Sequence, residues 1–343
     1  MPNKTIYRIV RFSRLKSKPI VMRKILLIIF LLVVIAIVAI AGYLKFALPK
    51  TSAPPDLRVS LTPERIQHGA YLANHVLVCM DCHSTRDWSR FTAPLIPGTF
   101  GIGGEFFGRE MGFPGNFYSK NITPASLGSW TDGEIFRTIT TGVDKNGNAL
   151  FPVMPYTHYG KMDKEDVYDI IAYLRQLPAI KSSIPERSID FPMNFIINTI
   201  PVPAVPMERP DKTDVVKYGE YLVMVAACIE CHSQSEKGKL LQGLEFAGGR
   251  EFQMPNGVLR SANITPDAET GIGNWTEEVF IARFKAYTDS ANFSKIEKTR
   301  VNTIMPWAMY GGMDTTDLKS IYAYLKTLKP IKNQVEHFQV SAK

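Results

Sequence analysis

Cysteine is scarce in this chain of 343 residues. There are four, and all of them sit in two pentapeptides, Cys79-Met80-Asp81-Cys82-His83 and Cys228-Ile229-Glu230-Cys231-His232. With every cysteine committed to those stretches, none is left for a structural disulfide. Acidic residues are missing from the whole N-terminal part, the first being Asp56. No sustained period-two alternation of apolar and polar residues occurs, so a sheet is not expected. There is also no Ser/His/Asp constellation, phosphate-binding loop or dinucleotide fingerprint, which removes the hydrolase and nucleotide-dependent classes built on those devices.

What is present begins with the two pentapeptides. Both read C-x-x-C-H, the attachment motif for a c-type haem. Two thiols bond to the two vinyl groups of one porphyrin, and the following His places an imidazole nitrogen under the iron. The expected cofactors are therefore two haem c groups. Cys79, Cys82, Cys228 and Cys231 are the covalent attachment points, and His83 and His232 are the proximal iron ligands. A zinc site or a dithiol redox pair is the alternative for a bare C-x-x-C, but neither needs His directly after the second Cys in both copies.

Ile25 to Leu44 is a run of twenty residues without a charge, long enough at helical rise to cross a bilayer. Ahead of it lie Lys4, Arg8, Arg11, Arg14, Lys16, Lys18, Arg23 and Lys24. The positive-inside rule keeps this end in the cytoplasm and exports the rest. These eight cations equal the entire formal excess of +8, so the exported part is balanced and the basic character does not indicate nucleic-acid binding. The expectation is a retained inner-membrane anchor, single-pass, with the haem-bearing part periplasmic. The alternative is a cleaved signal peptide, because Ala39-Ile40-Ala41 has the small-x-small form of a cleavage site. Met22-Arg23-Lys24 also has the form of a second start.

Comparison of the two halves shows a repeat with a period near 150 residues. Gly69-Ala70-Tyr71-Leu72 matches Gly219-Glu220-Tyr221-Leu222 ahead of the cysteine motifs. Gly103-Gly104 then matches Gly248-Gly249, Asn121-Ile122-Thr123-Pro124 matches Asn263-Ile264-Thr265-Pro266, and Trp130 matches Trp275. Met154-Pro155 matches Met305-Pro306, and two further matches follow, in Tyr-Gly-x-Met-Asp and Ala-Tyr-Leu. A period of this length suits a duplicated domain rather than a solenoid. The expected organisation is a basic segment (1–24), anchor (25–44), linker (45–61), first domain (62–180), proline-rich linker (181–211), second domain (212–333) and tail (334–343). Seven prolines between Pro178 and Pro210 disfavour regular structure in the connector, while Phe191, Phe195, Ile196 and Ile197 give it apolar groups to pack on a domain surface.

Each unit is expected to begin with a helix running into its motif, near 63–78 and 213–227, with Thr62 as N-cap and Pro63 in the first turn. Each ends with another, capped by Asp163 or Asp314, with Val167, Ile170, Ile171 and Leu174, or Leu318, Ile321, Tyr322 and Leu325, at helical spacing. The order resembles the class I cytochrome c fold, an all-α architecture. The resemblance implies two such domains in tandem behind a transmembrane helix, a Met from a later loop on the far side of each iron, and a crossing of the first and last helices. Gly69 and Tyr71 against Tyr173, and Gly219 and Tyr221 against Tyr324, are candidates for that crossing, with ordinary core aromatics as the plainer reading.

The repeat reduces thirteen methionines to two kinds per unit. Met162 and Met313 directly precede the capping Asp, where a hydrophobic staple explains them. Met154 and Met305 each precede proline, which favours extended geometry and a side chain projecting from a loop. The thioether is a good haem-iron ligand, so Met154 and Met305 complete the metal set with His83 and His232. A buried gap-filling role is the alternative for both, and His158 is the rival ligand in the first unit. Asn121, Trp130, Asn263 and Trp275 are candidates to bind a haem propionate from the second shell, with loop closure and packing as the plainer reading. Arg109 and Arg250 are candidates to offset propionate charge.

The succession C-x-x-C-H, N-I-T-P, Trp, M-P and a final Y-L helix is more specific than cytochrome c at large. It resembles membrane-associated bacterial dihaem cytochromes c and the cytochrome subunits of periplasmic alcohol, aldehyde and sugar-acid dehydrogenases, from Thr62 to Leu328. The resemblance implies electron transfer from a dehydrogenase or a quinol-side donor to a terminal acceptor, with redox proteins (dehydrogenase, oxidase or soluble cytochrome) as partners and no nucleic acid. No catalytic residue is assigned. The alternatives are a dihaem peroxidase-like enzyme and a fixed cytochrome subunit of a dehydrogenase or oxidase complex.

Overall fold

A computed structural model describes residues 19–236, 238–296 and 302–340. Most of the expected basic segment (1–18) and the end of the tail (341–343) lie outside the described residues. The chain divides into two compact units between Leu48 and Pro49.

Among its described residues the first unit contains one helix, Pro19–Phe46. Its Val21–Phe46 part, 26 residues with an 18-residue stretch of mean hydropathy 3.5, is long and apolar enough to cross a membrane, either as an anchor or as a signal sequence. At helical rise this part is about 39 Å long, against roughly 30 Å of bilayer hydrocarbon. Pro19 suits a first helical position, and the helix stops shortly before Pro49.

In the second unit the same scaffold of helices occurs twice. Leading helices Pro63–Tyr71 and Val215–Val225 pack on closing helices Lys164–Gln176 and Thr315–Thr327. Thr62 Oγ1 accepts from the Arg65 N–H, and Asp163 Oδ1 from the Glu165 N–H at 2.9 Å, so both caps form through their side chains. Asp314 makes no side-chain cap bond. The helices touch at glycine. A Cβ on Gly69 would lie 1.8 Å from the Asp169 carbonyl oxygen, and one on Gly219 would lie 1.9 Å from that of Ser320. Val167, Ile170 and Ile171 of one closing helix, and Leu318, Ile321 and Leu325 of the other, are buried as their spacing requires, and Met162 and Met313 are buried beside them at 1% exposure each.

Tyr71 and Tyr221 do not stay at their own crossings. Each reaches the other half, because two positions after the glycine, about 200° round the helix, the side chain faces away from that crossing.

The first leading helix continues into a π turn, Leu72–Val76, closed by the Leu77 N–H on the Leu72 carbonyl at 2.8 Å. The chain has one more residue between Tyr71 and Cys79 than between Tyr221 and Cys228. Widening one turn to i→i+5 accommodates it.

Among the described residues helix is the predominant regular structure, and three small antiparallel sheets qualify the all-α expectation. One joins Phe106–Phe107, Gly115–Tyr118 and the connector's Ser188–Ile189, with Phe107 opposite Phe117 and Asn116 opposite Ser188. A two-stranded ribbon pairs Ser235–Glu236 with Lys239–Leu240. The third joins Glu251–Met254, Gly257–Arg260 and Phe338–Val340, with Val258 opposite Gln339. Strands of two to four residues are too short to show an alternating pattern in sequence.

The connector lies along the first half rather than hanging free. Beyond its strand, Ile197 is 2% exposed, the Val205 N–H bonds the Gly160 carbonyl, the Met207 N–H bonds that of Lys161, and Arg209 pairs with Asp166.

Candidate functional site

Each C-x-x-C-H begins a short helix, Cys79–Cys82 or Cys228–His232, and each helix is preceded by a left-handed residue, Val78 (φ 50°) or Ala227 (φ 51°). A β-branched residue in that region is uncommon, and the strain recurs at the same place in both copies. It interrupts the helical run, so that the motif starts a helix of its own.

The two histidines are held alike. His83 Nδ1 lies 2.6 Å from the Lys120 carbonyl oxygen, and His232 Nδ1 lies 2.8 Å from that of Ala262. A carbonyl can only accept, so Nδ1 carries the proton and Nε2 keeps its lone pair for a metal. Burial lowers the pKa of both rings, which favours the neutral imidazole that a ligand requires.

The carbonyls are fixed in turn by the N-I-T-P loops that follow them. Asn121 Oδ1 accepts from the Thr123 N–H (2.8 Å) and hydroxyl (2.7 Å), and its Nδ2 donates to the Ile180 carbonyl (2.8 Å) and Ser182 Oγ (2.9 Å). Asn263 repeats this with Thr265, the Ile331 carbonyl and Thr270 Oγ1. Both amides thus tie the loop to the chain that follows the closing helix. Gly103 and Gly248 complete the arrangement. Each donates its N–H to the motif histidine's own carbonyl, at 2.8 and 2.7 Å. A Cβ there would lie 2.5 Å from the Lys120 carbonyl carbon or 2.4 Å from that of Ala262. Sequence reading missed these carbonyls and the left-handed residues. The signal for the carbonyls was their place directly before the repeated N-I-T-P.

All four cysteines are free. Each keeps some exposed surface, Cys231 most, yet the sulfurs lie deep enough that burial pushes the Cys79, Cys82 and Cys228 thiols up to about 12 and raises Cys231. Such thiols are protonated at neutral pH, unlike the lowered thiolates of a redox dithiol. Met154, Trp130 and Cys79 are half-buried against the core, as are Met305, Trp275 and Cys228. Two neutral thiols, a neutral imidazole and a partly covered thioether in each half fit a haem c, and together these residues would hold it.

Among the described residues neither indole N–H has a protein partner. The main-chain carbonyls of the two tryptophans are occupied, Trp130 by Arg175 Nη2 (2.6 Å) and Trp275 by the Tyr322 hydroxyl (2.7 Å). Arg109 spends its guanidinium on Asp190 of the connector, while Arg250 donates to the Glu230 carbonyl.

His158 faces the second motif instead of the first. Its Nε2 lies 2.9 Å from Glu230 Oε1. The corresponding residue of the first motif, Asp81, is bound by Arg86 at 2.8 Å, and Arg86 also holds Glu105. Burial lifts Asp81 to about 6, with Arg86 opposing. The Tyr310 phenol is held well above its ordinary pKa by burial first, then by Cys228 and Cys231 of its own half and Asp81 and Cys82 of the other. Burial likewise raises the Tyr159 phenol, with Cys79 and Cys82 of its own half and Tyr310 adding to the rise.

No protein-family model matches the chain. Among curated proteins it is 25% identical to the cytochrome c subunit of a quinone-type alcohol dehydrogenase from Gluconacetobacter polyoxogenes, over 78% of this chain and 56% of that one. It is 26% identical to the cytochrome subunit of a fructose dehydrogenase from Gluconobacter japonicus, over 77% of this chain and 52% of that one. A diheme cytochrome c-type protein of Cereibacter sphaeroides is 25% identical over 87% of this chain and 97% of its own. The chain thus spans about half the length of the dehydrogenase subunits and nearly all of the dihaem protein. Its homologues are cytochrome c subunits of dehydrogenases together with a dihaem cytochrome c.

Proposed function

We propose that this chain is an electron-transfer protein carrying two covalent haem c groups, one in each of two tandem domains (62–180 and 212–333), on the periplasmic face of the inner membrane. The observation that carries the reading is the pair of histidines, each next to its cysteines and each with Nδ1 fixed on a backbone carbonyl.

Bound haem supplies one-electron chemistry between ferrous and ferric iron. The chain supplies the rest. Cys79 and Cys82, or Cys228 and Cys231, would fasten the ring, His83 or His232 would present Nε2, and Met154 or Met305 would supply a thioether. With both donors engaged the group would carry electrons without binding oxygen or peroxide. Trp130 and Trp275 keep an indole N–H available for a propionate, while Asn121 and Asn263 act through the carbonyl before them. The contact of His158, in the first half, with Glu230 of the second motif supports transfer between the haems within the molecule.

A mass equal to the chain plus two haems, with both irons low-spin and unreactive to carbon monoxide, is the expected result for the purified protein. A high-spin iron, or carbon monoxide binding in the native state, would sink the reading and favour a peroxidase-like enzyme. The dehydrogenase relatives favour a second reading, in which the chain is the fixed cytochrome subunit of a larger complex. Mild-detergent extraction separates the two. A stoichiometric co-migrating dehydrogenase supports the subunit, and a lone chain with exchangeable partners supports the carrier.

A further inference from the structure

Among the places where the halves differ in length, two meet. The stretch from His83 to Gly103 is longer than that from His232 to Gly248, and the stretch from Trp275 to Met305 is longer than that from Trp130 to Met154. The extra chain of the first half, around 86–95, lies on the extra chain of the second. The Phe91 N–H bonds the Ser294 carbonyl at 2.9 Å, the Ile296 N–H bonds that of Ser89 at 2.8 Å, and Arg90 Nε bonds that of Phe293 at 2.8 Å.

Two side chains carry this contact to the candidate ligand. Asn302, 8% exposed, donates Nδ2 to the Trp88 and Arg90 carbonyls and accepts the Thr92 N–H on Oδ1 at 2.9 Å. The Thr92 hydroxyl then donates to the carbonyl of Met305 itself at 2.9 Å. Thr92 is 2% exposed and left-handed (φ 61°), as is Ala93 after it (φ 47°). Two successive non-glycine residues in that region persist only where their surroundings hold them. Both methionine carbonyls accept an N–H within their own turn, Met154 from Tyr156 and Met305 from Trp307, each at 2.8 Å, and Met305 takes the Thr92 hydroxyl in addition.

We propose that Thr92 and Asn302 are positioning residues through which the first half sets the placement of Met305, and hence the potential of the second haem. The inference rests on the reading of Met305 as an axial ligand. A thioether stabilises ferrous iron, so a well-seated Met305 raises that haem's potential, and a loosened one lowers it.

The test uses the full-length, haem-loaded protein in detergent, followed by redox titration and by the methionine-to-ferric-iron charge-transfer band. Met305→Ala identifies the second haem, and should abolish half of that band and open one iron to carbon monoxide. Thr92→Val should lower the potential of that same haem and weaken its share of the band, leaving the first haem unchanged. Thr92→Ser, which keeps the hydroxyl, should restore both. Identical potentials and bands in Thr92→Val and the wild type, or equal shifts of both haems, would overturn the proposal. A full band with no carbon monoxide binding in Met305→Ala would instead overturn the ligand reading beneath it.

Discussion

Tyr71 and Asp317 lie in opposite halves of the repeat, and the phenol of the first donates to Oδ2 of the second at 2.7 Å while accepting the Asp314 N–H at 3.0 Å. Tyr221 does the same in the other direction, donating to Asp166 and accepting the Asp163 N–H at 3.2 Å. Each leading helix thereby satisfies the start of the other half's closing helix. Both carboxylates are almost wholly buried, Asp166 at 1% and Asp317 at 0% exposure, so each depends on such partners.

Tyr71→Phe or Tyr221→Phe removes one donor from a buried carboxylate and one acceptor from a helix N–H. Each should cost about 1–3 kcal/mol. Thermal or denaturant unfolding followed by the haem spectrum measures this, and an unchanged midpoint in both variants would show that water replaces the phenols at no cost.

Asp166 gives a pH signature. Burial raises its pKa above 3.8, against the lowering effects of Tyr221, Arg209 and His68, while Asp163 adds to the rise. A raised folded-state value means the folded protein binds the proton first, so stability from this group grows as pH falls through the raised value toward 3.8. Asp166→Asn cannot titrate. The stability of wild type relative to Asp166→Asn should therefore increase on acidification through that window, and melting curves that stay parallel across it would contradict the assignment.

At the two helix crossings there is no room for a methyl group. Gly69→Ala and Gly219→Ala place a Cβ against main-chain oxygen, which cannot swing aside as a side chain would. Each should destabilise its half by about 3 kcal/mol or more. Urea unfolding is the measurement, and a loss below about 1 kcal/mol would mean the crossings open without difficulty.

Asn121→Ala and Asn263→Ala release the loops that carry the Lys120 and Ala262 carbonyls. Stability should fall by about 1–3 kcal/mol while the covalent haem count stays at the wild-type value, because the thiols are untouched. Mass spectrometry and melting together check both parts, and a loss of haem would assign the amides a role in attachment instead.

The leading and closing helices were legible because their caps, proline positions and apolar spacing are local signals. Thr62, Pro63 and Asp163 act where the sequence places them. The strands were not legible. Ser188 and Ile189 pair with a strand more than seventy residues away, and two residues carry no period. The attachment motifs were plain in the sequence, since their spacing is their chemistry. The carbonyl partners of His83 and His232 were hidden because a backbone oxygen has no residue type to betray it. Asn121 and Asn263 were noticed as polar repeats, but only the folded loop reveals that their bonds run to Ile180 and Ile331. Thr92 left no signal at all, because its partner Met305 lies in the other copy and the comparison of copies discards whatever is not shared.

The π turn at Leu72–Val76 has a consequence for how such a duplicated chain tolerates change in length. An added residue in an ordinary helix rotates everything after it by about 100° and would aim the following thiols at the wrong wall. Here the wider turn takes up the rotation on the spot. It works as a clutch between chain length and angular phase, letting one copy gain a residue while Cys79, Cys82 and His83 leave the helix in the same direction as their counterparts.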